Sequence, residues 1–429
     1  MRGRAGQTAI GKANVFGKWI GQSARNNELT IKGLSALGAY AELAPTELEM
    51  ALSLVDRIQV RQGLLNTELP ADQRVFLETG SVQIQTHTGF VLLLKAGTSA
   101  ARYPIPLKPD IASLYAPEPC SFLCVPRSAD PVPQTPAKKS LARPNLTPEE
   151  ARALKELRAY FRKEQCELPS LPDLALKIGK AIDNPNNANE DIARLIQLDP
   201  ALTARIISVV NSAAFGGFNK IKSIHQATAR LGRNKVRSLV YSCLLKSIFK
   251  INSSALKKHM EALWQHSAYV AALAFVLGRE TPGIDPEQAL LAGLVHDIGA
   301  VAAIGGINRF PQLAAREEVL DYTIASSRIE MGVLTLKQWG LQAELQDVVK
   351  NAENWFRMGT AIPENPDVVI LAQLHALIGS RDQARLPRVD TIPAFFKLAH
   401  GELTPHHSLS ILEEAEADVR EVRALISAG

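Results

Sequence analysis

The sequence predicts two unlike parts, a small N-terminal β-roll and a larger all-α domain, and three observations lead there. From Arg57 to Val125 short apolar runs are punctuated by glycines. Residues 126–148 hold six prolines and almost no large apolar side chains. From Thr147 onward the pattern is that of capped helices. A length of 429 residues exceeds one ordinary domain, and 46% hydrophobic with 21% charged residues is a composition that folds.

Taken in order, residues 1–28 read as a disordered basic tail. In the first 33 residues Arg2, Arg4, Lys12, Lys18, Arg25 and Lys32 face Glu28 alone, which accounts for the whole net charge of +5. An acid-poor start containing Arg and Ser also fits an organelle transit peptide; a frayed tail is the simpler reading. Residues 29–125 form the first folded unit. It opens with two short helices over 29–56, carried by Leu34, Leu37, Leu43, Leu48, Leu52 and Val55. Val75-Phe76-Leu77, Val82-Gln83-Ile84 and Val91-Leu92-Leu93-Leu94 follow, separated by Gly63, Gly80, Gly89 and Gly97. Short strands with glycine turns at this spacing make a small barrel or roll. The proline-rich residues 126–148 cannot bury enough surface to fold and read as a stiff linker.

Residues 149–429 are the helical domain. Thr147-Pro148-Glu149-Glu150 places an N-cap, a proline at the first helical position and a capping-box glutamate. Asp199-Pro200 and Asp285-Pro286-Glu287-Gln288 repeat the device, and Ser223 to Gln226 is another capping box. Helices are expected over 172–182, 190–198, 200–212, 224–231, 235–249, 256–279, 286–304, 327–339 and 342–357.

Several function classes fall away at this stage. Outside the tail the chain is neutral, so no dedicated nucleic-acid surface is expected. The longest apolar run, Ala268 to Gly278, is far short of the ~20 residues of a membrane helix, so no membrane insertion is expected. Cys120, Cys124, Cys166 and Cys243 make no CxxC pair, and a reducing cytoplasm is the default location.

The chemistry centres on Gly293-Leu294-Val295-His296-Asp297-Ile298-Gly299. A buried His–Asp pair in an apolar run needs a partner, either a divalent metal or a hydrogen-bond network. Other ordered motifs accompany it. Leu168-Pro169-Ser170-Leu171-Pro172 is followed by Asp199-Pro200-Ala201-Leu202-Thr203 and by Asn211-Ser212-Ala213-Ala214-Phe215-Gly216. Ser223-Ile224 to Ala227, Leu231-Gly232 and Trp264-Gln265-His266-Ser267 complete the series. Together, over residues ~165–400, they resemble the HDOD family, helical relatives of the HD metal-dependent phosphohydrolases that are mostly bacterial signalling and regulatory modules.

The resemblance implies a metal-ligand set that can be checked position by position. His266 matches the first histidine, and His296 and Asp297 match the pair. The next histidine position is Arg328, the double histidine falls near Ala352-Glu353, and the late aspartate falls at Gln373. No histidine lies between Asp297 and His375. The candidate metal ligands are therefore His266, His296 and Asp297 as a vestigial set, with no catalytic residue assigned and no cofactor expected. The alternative is a retained iron, manganese or zinc. For His375, His400, His406 and His407 a structural or solvated role is expected.

More weakly, Val75 to Val82 and Lys95-Ala96-Gly97-Thr98 resemble a cyclic-nucleotide-binding roll. Ser99-Ala100-Ala101-Arg102-Tyr103-Pro104 keeps an arginine but lacks the Gly-Glu partner of a phosphate cassette, so nucleotide binding is not expected there. The expected function is a non-catalytic regulatory protein whose helical domain binds other signalling proteins. A metal-dependent phosphohydrolase acting on nucleotides or cyclic dinucleotides is the alternative.

Overall fold

The computed structural model describes residues 34, 37 and 40 and the chain from 45 to 427. Not described are 66–68, 71–72, 87–90, 99, 108–110, 127–142, 163–165, 216–219, 342, 379–385 and 399–415. The basic tail and most of the proline-rich segment lie outside the described residues, as do His400, His406 and His407.

A small β region precedes a larger helical one. After helix α1 (Pro45–Leu52) come β1 (Asp56–Val60), β2 (Gly63–Leu64), β3 (Gln73–Thr79), β4 (Ser81–Thr86), β5 (Val91–Lys95), β6 (Ile111–Ala116) and β7 (Cys120–Pro126). They form two antiparallel sheets, ordered β1-β7-β3 and β2-β6-β4-β5. Between them lie Val75, Leu77, Val82, Ile84, Leu94, Leu114 and Phe122. The alternate residues Phe76, Leu123 and Val125 face the other way, under Leu34, Leu37, Tyr40 and Leu48. Covering β3 and β7 on both faces explains why their sequences are continuous apolar runs. Gly80 turns β3 into β4 at φ +84°, and a Cβ there would lie 2.7 Å from the Pro119 carbonyl oxygen.

The helical region begins with α2 (Pro148–Phe161), α3 (Asp173–Asp183), α4 (Asn189–Gln197), α5 (Pro200–Val210), α6 (Ile224–Leu231) and α7 (Arg233–Leu244). It continues with α8 (Ser254–Glu280), α9 (Pro286–Val295), α10 (Ile298–Ile307), α11 (Glu317–Gln338) and α12 (Ala343–Asn351). Last come α13 (Asn365–Leu377), α14 (Pro393–Leu398) and α15 (Glu416–Ser427). The caps are those the sequence marks. The Thr147 hydroxyl accepts from the Glu150 amide at 3.2 Å while the Glu150 carboxylate accepts from the Thr147 amide at 2.8 Å. Asp199 and Asp285 cap α5 and α9. Ser223 caps α6, but Gln226 reaches the Lys222 amide instead of closing the box on Ser223.

Three expectations are corrected. The helix expected over 286–304 is two helices, because Asp297 leaves helical geometry at φ −116°, ψ 20°. The helix expected over 342–357 ends at Asn351, and the one expected over 327–339 starts at Glu317. Helices α13 to α15 were not anticipated; α13 is buried all round and so carries no amphipathic period. The stretch Pro286–Ile307 is long and apolar enough to cross a membrane, yet 89% of its apolar window is buried inside this fold.

The two regions share a core. Ala361 and Ile362, in the loop before α13, lie in the same apolar cluster as the strands, and the Ala361 amide donates to the Pro104 carbonyl at 2.9 Å. Beneath this contact the fully buried Lys397 donates to Asp367 at 2.6 Å and lies 5.5 Å from the centre of the Tyr103 ring. Arg357 ties the loop down through Asp347, Glu364 and Asp367 at 3.0, 2.9 and 3.1 Å.

Candidate functional site

The His–Asp pair sits where α9 hands over to α10, and close helix packing puts it there. A Cβ on Gly293 would lie 2.7 Å from the Ala271 Cα, so α9 can lie directly against α8, the helix that carries His266. A Cβ on Gly299 would lie 1.6 Å from the Arg328 carbonyl oxygen, and one on Gly332 would lie 2.6 Å from Val349. These glycines let α10, α11 and α12 approach until Arg328 and Glu353 reach the His–Asp pair.

The three residues the sequence singles out do come together. Ligand atoms of His266, His296 and Asp297 all lie within 4.8 Å of one another. The two imidazoles meet edge to face with ring centres 5.2 Å apart. His296 is 2% exposed, and its Nδ1 lies 2.7 Å from the Gly293 carbonyl. That contact makes Nδ1 the donor and leaves Nε2 as a buried acceptor with no protein partner. Burial pushes the His266 pKa down to about 4, with His296 and Arg328 adding to the effect, and burial lowers that of His296 too. Both rings are therefore neutral at pH 7.

Arg328 completes the cluster. Its Nη1 donates to Asp297 Oδ1 at 3.0 Å, and its Nη2 pairs with the Glu353 carboxylate. Burial would raise the Asp297 pKa, but Arg328 and the two histidines outweigh it and hold the carboxylate below its ordinary range. Burial likewise works against the Arg328 charge, and Asp297 and Glu353 overcome it. The cavity beside these residues is about 10 Å³, room for one water at most, with Val349 and Ala352 on its wall.

This donor set does not fit a hydrolytic metal. Such a site needs three or four protein ligands and an open position for water. Three donors among the described residues meet the lower count, but the Asp297 oxygen already accepts from a guanidinium that would repel a divalent ion. Glu353 is the residue that sequence reasoning located but did not interpret. A basic and an acidic residue at two positions where the resemblance implies histidines was the available signal of an ion pair.

Other motif residues prove structural. Asn211 makes two hydrogen bonds of 2.7 Å to the backbone of Ile221, closing the loop between α5 and α6. The Trp339 indole donates to the Pro169 carbonyl at 2.8 Å. Gln373 and His375 are buried on α13, and burial brings His375 to a pKa of about 4.

The cluster sits in an all-helical domain, with Arg328 held between Asp297 and Glu353. Comparison with known proteins agrees on the domain: residues 168–355 match the HDOD domain family. An uncharacterized protein of Treponema pallidum (strain Nichols) is 28% identical over 203 residues, 44% of this chain and 38% of that protein. A crystal structure from Shewanella amazonensis SB2B, named as a metal-dependent phosphohydrolase, superposes with a TM-score of 0.55 at 22% identity. It covers 66% of this chain and 100% of that one, a likeness of fold. An HDOD domain protein of unknown function from Geobacter sulfurreducens gives 0.44 at 20% identity, over 65% of this chain and 98% of that one.

Proposed function

We propose that this protein is a non-catalytic regulatory protein of cytoplasmic signal transduction, in which the HDOD domain acts as a scaffold for other signalling proteins. The observation that carries the reading is Arg328 bridging Asp297 and Glu353. A positive charge that a hydrolytic HD site takes from metal is supplied here by a side chain that cannot activate water and whose charge is already met by two acids. Phosphoryl transfer depends on charge stabilisation and positioning, which a guanidinium held between two acids does not give a phosphate.

The β region is read, in the same proposal, as a degenerate relative of cyclic-nucleotide-binding rolls. Arg102, the one arginine left from the phosphate cassette, is exposed, while Tyr103 and Ile105 beside it are buried. Ala361 and Ile362 join those residues in one apolar cluster. The region thus serves to dock, not to hold a nucleotide.

The test is turnover of phosphodiesters, nucleotides and cyclic dinucleotides with manganese, iron or magnesium, together with metal analysis of the purified chain. No turnover and no stoichiometric metal are expected. Hydrolysis abolished by His296→Ala, with metal lost in the same variant, would establish the phosphohydrolase alternative instead.

A further inference from the structure

Strand β5 ends the four-stranded sheet β2-β6-β4-β5, and among the described residues no strand pairs with its outer edge. The register fixes which groups that edge offers. The Ala96 amide donates to the Gly80 carbonyl at 3.0 Å, so the bonded pairs of the β4–β5 ladder continue at Val82–Leu94 and Ile84–Leu92. The N–H and C=O groups of Val91, Leu93 and Lys95 therefore point away from β4, and of these the Lys95 carbonyl accepts from Thr98. Val91 and Leu93 also expose their side chains, at 45% and 48%. They end uncharged rows that run across the sheet. Leu64 is paired with Tyr115, Tyr115 with Gln83 and Gln83 with Leu93, while Val91 is paired with Gln85. Sheet edges are ordinarily protected by charge, proline or a bulge. On β5 the one charged residue is Lys95, at its end.

We propose that β5 is a self-pairing edge, through which two copies of this chain join antiparallel about a two-fold axis at Leu93. The occupant is a second copy because the edge complements itself. Outward-pointing backbone groups need an extended strand, and this register sets all three outward residues opposite outward residues. The two Leu93 residues exchange N–H to C=O bonds on the axis, and each Lys95 amide donates to the carbonyl of Val91 of the partner subunit. Lys95 then lies opposite an apolar residue and not opposite its own copy, so no like charges meet. The Leu93 side chains pack on each other, and Val91 packs on the aliphatic stem of the partner's Lys95. The uncharged rows of both sheets become one continuous face. Pairing of two five-residue strands is a small interface, so the dimer is reversible, with a micromolar Kd. It is independent of the chemistry at the His–Asp cluster.

The experiment is sedimentation of the full-length protein from low to high micromolar concentration. Wild type should pass from monomer to dimer. Leu93→Lys sets two ammonium groups on the axis and should raise the dimer Kd about tenfold or more. Leu198→Lys, which adds the same charge at a leucine 71% exposed elsewhere, should leave the Kd unchanged. Mixing Leu93→Lys with Leu93→Glu should restore association. In a Cys166→Ser background, where the remaining Cys120, Cys124 and Cys243 are buried, Leu93→Cys should be joined across the axis by a short bis-maleimide. Should Leu93→Lys fail to fold by circular dichroism, Val91→Lys replaces it, since it sets a lysine opposite the partner's Lys95. A wild type that stays monomeric at the highest concentration overturns the proposal. So does a dimer that the lysine variant leaves intact, or one in which Leu93→Cys is not cross-linked.

Discussion

At the residue scale the ion triad Asp297–Arg328–Glu353 is the centre of the candidate site. Two acids and one base share a site in which Arg328 and Asp297 are only 15% and 14% exposed. Removing the base leaves the largely buried Asp297 uncompensated, so Arg328→Ala should cost about 3 kcal/mol in chemical denaturation. Restoring neutrality with Asp297→Asn and Glu353→Gln in that background should recover much of the loss. The histidines set a pH dependence of defined sign. His266 and His375 titrate at about 4 in the fold, whereas an unfolded histidine titrates near 6.5. Between those values the unfolded chain binds protons that the native chain does not, so stability falls as pH drops from about 6.5 toward 4. Asp297, held low, loses its contribution only further into acid. Denaturant titrations at pH 7, 6 and 5 should show this slope, and His375→Asn should flatten it by up to one proton.

At the element scale the crossing of α10 over α11 is the constraint. Gly299 is a contact point where a methyl group would strike the Arg328 carbonyl oxygen, whereas Gly305 on the same helix has nothing within 4 Å of a Cβ. Gly299→Ala should therefore cost about 1–3 kcal/mol or more through overpacking. Gly305→Ala should gain up to about 1 kcal/mol of helix propensity. Opposite shifts in melting temperature from one substitution type in one helix would verify the crossing. If both variants are stabilised, the backbones do not touch. The glycine after His–Asp–Ile was legible as a motif letter. That it holds two helices at contact distance was not.

On the scale of the whole molecule, the loop before α13 joins the β region to the helical domain. Ile362 is 8% exposed within the β cluster, and an aspartate there would bury an unpaired charge between the two regions. Wild type should unfold in one calorimetric transition and Ile362→Asp in two. Cutting the chain within 127–142 should likewise leave the two halves associated on gel filtration in wild type and separate in the variant. Two transitions already in wild type would show that the contact is too weak to couple them.

The sequence by itself determined the order of β and α regions, the caps at Thr147, Asp199 and Asp285, and the His266–His296–Asp297 cluster. Each of these is a local signal or a short motif: alternation with period two, a capping side chain within a turn, or a fixed string of residues. It also put Arg328 and Glu353 at positions where the family resemblance implies histidines. Only the tertiary structure decided that these two side chains pair, because Arg328 lies on α11 and Glu353 in the turn after α12, and no spacing rule relates their charges. The break at Asp297 was likewise invisible, since an apolar run looks the same whether one helix or two pass through a core. Helix α13 and the joint at Ile362 are buried by elements distant in sequence. The pattern that reveals a helix or a boundary comes from contrast with solvent, and there is none at those positions.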